Sequence, residues 1–372
     1  MKRIHHRKKH QPYIITLMDS QIVKLETSLS VPSVHELAKQ LITKVPERYL
    51  HPNQDPIISD TISLPQVPVI DLNQLLSQDE SPELEKLNQA CKEWGFFQLI
   101  NHGINPSVVE NVKIGVEKLF SLPEKEKEKL RQKEGELEGY GQHFVCSEEQ
   151  KLEWADLFFI NMLPSSTRSS HIFPSVPQPF RNDLERYSLE LEKLGMTIIK
   201  LMTKALKIKG EELVELFEDL RQTMRMNYYP PCPQPEQVIG INPHSDVAAL
   251  TILLQVNEME GLQIRKDGMW IPIKPLSNAF VINVGDILEI LTNGIYRSIE
   301  HRATINSEKE RISIATFHKP LMNRVVGPTP SLVTPERPAM FKKISVADYY
   351  RGFFSRKLQG KSYVDAVRIN NT

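Results

Sequence analysis

In INPHSDVAALTILLQV, residues 241–256, a His, a Ser and an Asp stand immediately before an apolar strand. On an extended segment, side chains two apart project to one face, so His244 and Asp246 point together into the same space. His301 lies fifty-five positions beyond Asp246, in RSIEHRATI, a run that an antiparallel barrel would bring opposite. Two imidazoles and a carboxylate bind one face of an Fe(II) ion and leave its other positions open for substrate and oxygen; zinc sites that hydrolyse bonds use the same donors. Taken alone, His-x-Asp also suits a turn cap, and His301 alone suits a half-buried sheet position. Ten positions past His301, Arg311-Ile312-Ser313 repeats the two-residue spacing and presents a guanidinium and a hydroxyl beside Ile312, Ile314, Ala315 and Phe317. A planar, permanently charged fork in an apolar setting suits a carboxylate. A metal beside a carboxylate clamp points to a keto-acid cosubstrate.

The elements that must position these residues follow from periodicity. From Thr223 onward the chain breaks into short β-type runs, MRMNYYP, ALTILLQV, GLQIRK, MWIPIKP, AFVINVG, RSIEHRATI and RISIATFH, separated by turns and without helical stretches between them. That pattern predicts an antiparallel sandwich or barrel, with a jelly roll among the forms. Upstream, Leu184, Tyr187, Leu191, Leu194, Ile198 and Met202 recur at three and four, predicting a long scaffold helix between Arg181 and Leu206. Val67 to Leu72 and Phe96 to Ile100 read as strands, Glu83 to Trp94 and PSVVENVKIGVEKLFSLP as helices. Val31 to Val45 reads as an amphipathic helix led by Pro32 and Ser33, followed by a Pro-, Asp- and Asn-punctuated linker. ISVADYYRGFFSRKLQGKSYVDAVRI reads as a terminal helix pair over one end of the barrel. The expected divisions are a basic disordered extension (1–17), an N-terminal helix and linker (18–66), an α/β N-terminal region with the scaffold helix (67–220), the jelly-roll core (221–320) and C-terminal helices (321–372).

Bulk properties narrow the partners. The chain has 372 residues, with 46 basic and 46 acidic side chains, so no global field draws it to nucleic acid or to an anionic membrane. No apolar run reaches the length of a membrane span. Cys91, Cys146 and Cys232 are too few and too scattered for a disulfide framework or a thiolate metal site, which fits a reducing compartment and a cytoplasmic protein. The basic segment MKRIHHRKKHQPYIITL lacks a signal-peptide apolar core and reads as an extension.

NYYPPCPQP, HSD, NGIYRSIEHRA and ERISIATFHKP together resemble the plant iron(II)- and 2-oxoglutarate-dependent dioxygenases, and VPVIDL with CKEWGFFQLINHG resembles their N-terminal region. VPSVHELAK, EGYGQ, SEEQKLEWAD and KLQGKS are most similar to the senescence-related and alkaloid O-demethylase branch. The resemblance covers nearly the whole chain, from about Val23 to Ile369. It implies a mainly β fold with flanking helices and a double-stranded β-helix core. It implies that His244, Asp246 and His301 bind iron and that Arg311 and Ser313, with Asn227 and Tyr229, hold 2-oxoglutarate. Its cofactors would be Fe(II), 2-oxoglutarate and O2, with ascorbate as reductant. The reaction would be hydroxylation or O-demethylation of a plant alkaloid, flavonoid or phenylpropanoid, releasing succinate and CO2. For the organic substrate it nominates Tyr140, His143, Phe144, Phe158, Phe159, Phe317, Lys319, Tyr350 and Phe354, suited to a flat, mostly apolar aromatic molecule. His102 matches a family hallmark that is not a metal ligand and reads as structural; Trp154 and Asp156 read as scaffold, Asp156 as a local cap. A monomer acting on a small molecule is expected. Three other readings stay open: an iron oxidase of related fold that uses no 2-oxoglutarate, a catalytically silent jelly-roll binding protein, and a zinc hydrolase.

Overall fold

Two facing sheets, antiparallel except where β1 runs parallel to β2 at the edge of the larger one, and a layer of helices behind that larger sheet form the main body. The computed structural model describes residues 29, 31–40, 42–52, 55, 64–77, 81–133, 136–142, 145, 147–208, 211–354 and 362–369. The expectations for the basic extension 1–17 and for His143 and Phe144 lie outside these residues.

The strands of the two main sheets are β1 (Val69–Asp71), β2 (Phe96–Ile100), β3 (Gly139–Gly141), β4 (Asp156–Leu163), β5 (Arg221–Tyr229), β6 (Ile241–His244), β7 (Leu250–Gln255), β8 (Leu262–Lys266), β9 (Met269–Pro272), β10 (Phe280–Val284), β11 (His301–Ala303) and β12 (Arg311–Lys319), and a short pair follows at Val325–Val326 and Ile344–Ser345. Eight of them form one sheet in the order β1-β2-β10-β7-β12-β5-β4-β3, and four form the opposing sheet, β6-β11-β8-β9. This is the expected jelly-roll core. The larger sheet extends beyond it, through β1 and β2 at one edge and β3 and β4 at the other.

The principal helices are α1 (Val34–Lys39), α2 (Pro82–Gln89), α3 (Pro106–Phe120), α4 (Phe180–Ala205), α5 (Asp286–Leu291) and α6 (Val346–Phe354), and a short helix follows at Ser362–Ala366. Their starts are written locally. Ser33, Ser81 and Asn105 each cap a helix by accepting a backbone N–H, and Pro82 and Pro106 occupy first positions where no N–H is needed. In α4 all six residues of the predicted stripe are buried against the outer face of the large sheet. Each such side chain withdrawn from water contributes about 1.5–3 kcal/mol.

Period-two alternation divides β7. Leu250, Ile252 and Leu254 face the helix layer, while Leu253 faces the space between the sheets with Phe96, Ile264, Ile271, Val281 and Ala315. Phe96, Leu253, Leu262 and Ala315 of that second, smaller core also line a cavity between the sheets.

The chain departs from expectation at three places. A helix, α5, stands between β10 and β11 where only β-type runs were expected. All six of its residues, the acids Asp286 and Glu289 included, are buried, so no solvent-facing side marks this short run as a helix. The first helix is shorter than the predicted Val31 to Val45. Asp156 is no local cap: its carboxylate accepts Val34 N at 2.9 Å and His35 N at 3.1 Å, as well as the Ser33 hydroxyl, and so anchors α1 across more than 120 residues of chain.

Candidate active site

The metal-ligating candidates meet where the small sheet ends. His244 closes β6, His301 opens β11, and the two are directly paired across the antiparallel ladder, with ring centroids 4.3 Å apart. Asp246 follows β6 by two residues. His244 Nε2 and His301 Nε2 stand 3.7 and 3.6 Å from Asp246 Oδ1. Among the described residues this trio is the one group whose donor atoms converge as a metal site requires, all within 4.8 Å.

Each donor is aimed by a partner behind it. His244 Nδ1 donates to Asn242 O at 2.7 Å and His301 Nδ1 to Ile299 O at 3.1 Å, so both Nε2 lone pairs face the centre. Asp246 Oδ2 accepts from Thr251 Oγ1 at 2.6 Å and Asn283 Nδ2 at 2.7 Å, which leaves Oδ1 turned inward. Burial, then the neighbouring His301, pushes His244 down to about 3, so its imidazole is neutral around pH 7. Burial alone would raise Asp246. The adjacent His301 and His244 and the bonds from Asn283 and Thr251 instead hold it below the ordinary carboxylate range. A neutral imidazole, as at His244, and an ionised carboxylate, as at Asp246, are the forms in which such groups take a divalent ion.

The clamp residues share the next stretch of wall. On β12 and β5, Arg311 lies opposite Tyr229 and Ser313 opposite Asn227, so the four form two cross-strand pairs facing one cavity of about 510 Å³ that also contains the triad. Arg311 Nη2 donates to Gln255 Oε1 at 2.8 Å, and its guanidinium stands 5.2 Å from the centre of the Tyr229 ring. Its Nε is buried with no hydrogen-bond partner among the described residues. Burial lowers the Arg311 pKa, partly offset by Tyr229, yet a guanidinium remains charged. A buried cation with an unsatisfied N–H beside a two-His, one-carboxylate donor set fits a metal plus an anionic cosubstrate. Gly261 permits this placement, since a Cβ there would come 2.8 Å from Arg311 Cδ.

Several supporting residues were not anticipated. Thr251 and Asn283 were legible in principle, as polar residues at inward positions of the otherwise apolar runs ALTILLQV and AFVINVG. Glu153 accepts Asn242 N at 2.8 Å and Asn242 Nδ2 at 3.1 Å, holding the segment whose carbonyl orients His244. Arg225, 3.8 Å from Glu153, donates through Nε to Asn227 Oδ1 at 2.8 Å. Gly285 is required by close approach: a Cβ there would fall 2.1 Å from Ala248 O and 3.0 Å from Asp246 O.

A second cavity, about 630 Å³, opens on the other side of His244 and Asp246, and Phe159, Phe317, Lys319, Tyr350 and Phe354 from the nominated set line it. Phe317 belongs to both cavities. Tyr140 and Phe158 do not line it. They are paired with each other on β3 and β4 and packed into the core behind the large sheet, because strand alternation turns Phe158 away from the face that Phe159 presents. The Tyr140 hydroxyl donates to Asp156 Oδ2 at 2.8 Å. His102 stands apart from the triad, accepting Ile104 N at its Nδ1 across a turn with Gly103 at φ 75. Trp154 donates to Pro230 O, a scaffold contact.

Comparison with known proteins defines the class. Residues 220–320 match the 2OG-Fe(II) oxygenase superfamily, and residues 67–178 match the N-terminal region described as non-haem dioxygenase in morphine synthesis. The chain belongs to this superfamily and is a 2-oxoglutarate-dependent dioxygenase that works with Fe(II). It is 54% identical to protein SRG1 of Arabidopsis thaliana (92% of this chain, 98% of that one). It is 51% identical to oxoglutarate-dependent flavonoid 7-O-demethylase 1 of Ocimum basilicum (92% of each) and 50% identical to codeine O-demethylase of Papaver somniferum (94% and 99%). Among solved structures, that of JOX2 in complex with 2OG, Fe and JA matches with a TM-score of 0.83 at 33% identity, covering 92% of this chain and 98% of that one.

Proposed function

We propose that this dioxygenase oxidises a C–H bond of a plant alkaloid, flavonoid or phenylpropanoid, by hydroxylation or O-demethylation. In this reading His244, Asp246 and His301 hold the iron, and Arg311, Ser313, Asn227 and Tyr229 hold 2-oxoglutarate. The observation that carries it is the single cavity in which the converging Nε2, Nε2 and Oδ1 atoms face the buried, incompletely satisfied Arg311 guanidinium. The O-demethylases among the relatives support the substrate class.

Iron with 2-oxoglutarate and O2 supplies the oxidising power: one oxygen atom enters the substrate and the other enters succinate, with CO2 released. The protein's residues do the rest. Arg311 and Ser313 would bind the distal carboxylate of the cosubstrate and orient its keto acid end toward the triad. Asn227 would keep Ser313 in place, as its Nδ2 lies 3.4 Å from Ser313 Oγ. The apolar wall of the outer cavity would exclude water and hold the carbon to be oxidised against the His244 and Asp246 side. Where that carbon is an O-methyl group, the hydroxylated product sheds formaldehyde. No described helix is long and apolar enough to cross a membrane. The buried, unpaired thiols of Cys91 and Cys232 support a reducing compartment, read here as the cytoplasm, and we take the protein to act as a monomer on a small aromatic molecule.

The test is succinate formation by the Fe(II)-reconstituted protein in air with ascorbate, across flavonoids, phenylpropanoids and alkaloids, with formaldehyde read in parallel. Asp246→Ala should abolish iron binding and turnover. Arg311→Ala should retain iron yet raise the 2-oxoglutarate KM by about 100-fold, the scale of one charge-assisted pair. Normal turnover by Asp246→Ala, or an unchanged 2-oxoglutarate KM in Arg311→Ala, would refute the assignment.

A further inference from the structure

The Arg311 guanidinium is held from outside the cavity it faces. On β12, Arg311 has Tyr229 opposite it on β5, but on the other side β7 stops short: its last residue, Gln255, stands opposite Ser313. Residues directly opposite on neighbouring strands share a face, and the diagonal neighbour lies within reach of a long side chain. Gln255 therefore starts on the face of the clamp and reaches along the ladder to Arg311, where its Oε1 accepts from Nη2 at 2.8 Å. Gln255 itself does not line the cavity that holds the triad and the clamp. It stands behind Arg311 and borders a groove on the outer surface.

Both ends of this amide are committed. Nε2 donates to Met259 O in the turn that joins β7 to β8, so Oε1 is the end turned to the guanidinium. The turn is tied to β12 on either side of Arg311. Val256 N donates to Ile312 O at 3.0 Å, Asn257 Nδ2 to Glu310 O at 2.8 Å, and Ile312 N to Asn257 Oδ1 at 3.3 Å. At its far end Gly261 packs on the Arg311 stem. The turn thus encloses the side chain from stem to tip, while Arg311 Nε keeps an unused N–H among the described residues. The partner's chemistry matters as well. An amide oxygen orients a guanidinium and leaves its charge whole. A carboxylate at position 255 would pair with the cation, and the clamp would be occupied from behind.

We propose that Gln255 is a positioning residue of the cosubstrate clamp: through its neutral amide it turns the Arg311 guanidinium toward the cavity and keeps that charge for the distal carboxylate of 2-oxoglutarate. This rests on the functional reading above and deepens it, since a neutral partner fixes the cation and still leaves it to an anion. A role in the fold alone would touch every cosubstrate. A positioning role is confined to those that carry the distal carboxylate.

A pair of keto acids of equal length tests it: 2-oxoglutarate, and 2-oxopentanoate, which has a methyl group where the distal carboxylate stands. Each is titrated calorimetrically, without oxygen, into the full chain loaded with Fe(II). The wild type should prefer 2-oxoglutarate by about 100-fold or more, the scale of one charge-assisted pair. Gln255→Met, which keeps the length of the side chain, should weaken 2-oxoglutarate about tenfold and 2-oxopentanoate less than about twofold. Gln255→Glu should weaken 2-oxoglutarate further, toward the affinity of Arg311→Ala, and again spare 2-oxopentanoate. In an Arg311→Ala background Gln255→Met should cost nothing more, since its action passes through the guanidinium. Equal weakening of both acids, an unchanged 2-oxoglutarate affinity in both Gln255 variants, or an undiminished loss in the Arg311→Ala background would overturn the proposal. A wild type that does not distinguish the two acids would instead sink the functional reading of Arg311, and the proposal with it.

Discussion

At the scale of single residues, the metal-site candidates are set by what stands behind them. In the proposed metal site Asp246 is suited to be a ligand because Thr251 and Asn283 hold its outer oxygen at 2.6 and 2.7 Å. Without one of these donors the carboxylate gains freedom to turn, and a ligand that must first be ordered binds its metal more weakly. Asn283→Ala should therefore cost about 10–100-fold in Fe(II) affinity, read by anaerobic metal titration, while the 2-oxoglutarate cavity keeps its other walls. An unchanged affinity would mean that packing alone orients Asp246. His244 and Asp246 were legible as a pair because a strand's period of two is fixed by geometry, and Arg311 with Ser313 for the same reason. Thr251 and Asn283 were not singled out, since their meaning depends on register between β7 and β10, where Thr251 and Asn283 prove to be direct partners.

At the scale of elements, the contact between α4 and the large sheet carries a buried titratable group. On β12, His318 packs its ring against Gly195 of α4, where a Cβ would come within 3.1 Å. The Gln222 amide donates to His318 Nε2 at 3.1 Å and also to Ser188 O at 3.0 Å. Burial pushes His318 down to about 4. The unfolded chain takes up a proton here near pH 6.5 and the folded chain only near 4, so between these values the unfolded state binds more protons and stability falls as pH falls. The loss approaches about 3 kcal/mol by pH 4. Urea unfolding of wild type and His318→Gln across pH 4–7 should show a shallower slope in the variant, by up to one proton; identical slopes would show that His318 does not titrate on unfolding. Elements with long, regular patterns were the legible ones. The six-residue stripe of α4 left little choice, and Phe96–Ile100 is a strand as read. Short elements were not. DILEIL is too brief to declare a helix, and its two acids, Asp286 and Glu289, are buried along with its apolar residues, so no exposed stripe marks one. The reach of Asp156 to α1 is likewise invisible in sequence, because it joins residues more than 120 positions apart.

At the scale of the whole molecule, α5 joins the triad to the C-terminal helix. Asp286 N donates to Asp246 O at 2.7 Å, fixing the start of α5 against the loop that carries Asp246. From the other side, the Tyr349 hydroxyl of α6 donates to Asp286 Oδ2 at 3.0 Å. Burial and the adjacent Asp286 raise Tyr349 well above the ordinary phenol value, so it stays a donor. Glu289 of α5 accepts Ser298 N at 2.7 Å and pairs with Arg368 near the end of the described chain. The same α6 presents Tyr350, Phe353 and Phe354 to the outer cavity, so the wall proposed to meet the organic substrate is keyed, through two hydrogen bonds, to the backbone at Asp246. Removing the key separates substrate placement from the rest of the chemistry. Tyr349→Phe keeps the ring and removes the hydroxyl that donates to Asp286 Oδ2, which should lower stability by about 1–3 kcal/mol in urea unfolding. With α6 free to shift, the KM for the organic substrate should rise several-fold while the KM for 2-oxoglutarate and the iron affinity hold, because the clamp lies on β5 and β12 and does not depend on α6. A stability loss with an unchanged organic-substrate KM would place the control of α6 in its packing against the core, and a rise in the 2-oxoglutarate KM would mean that the two cavities are not mechanically separate.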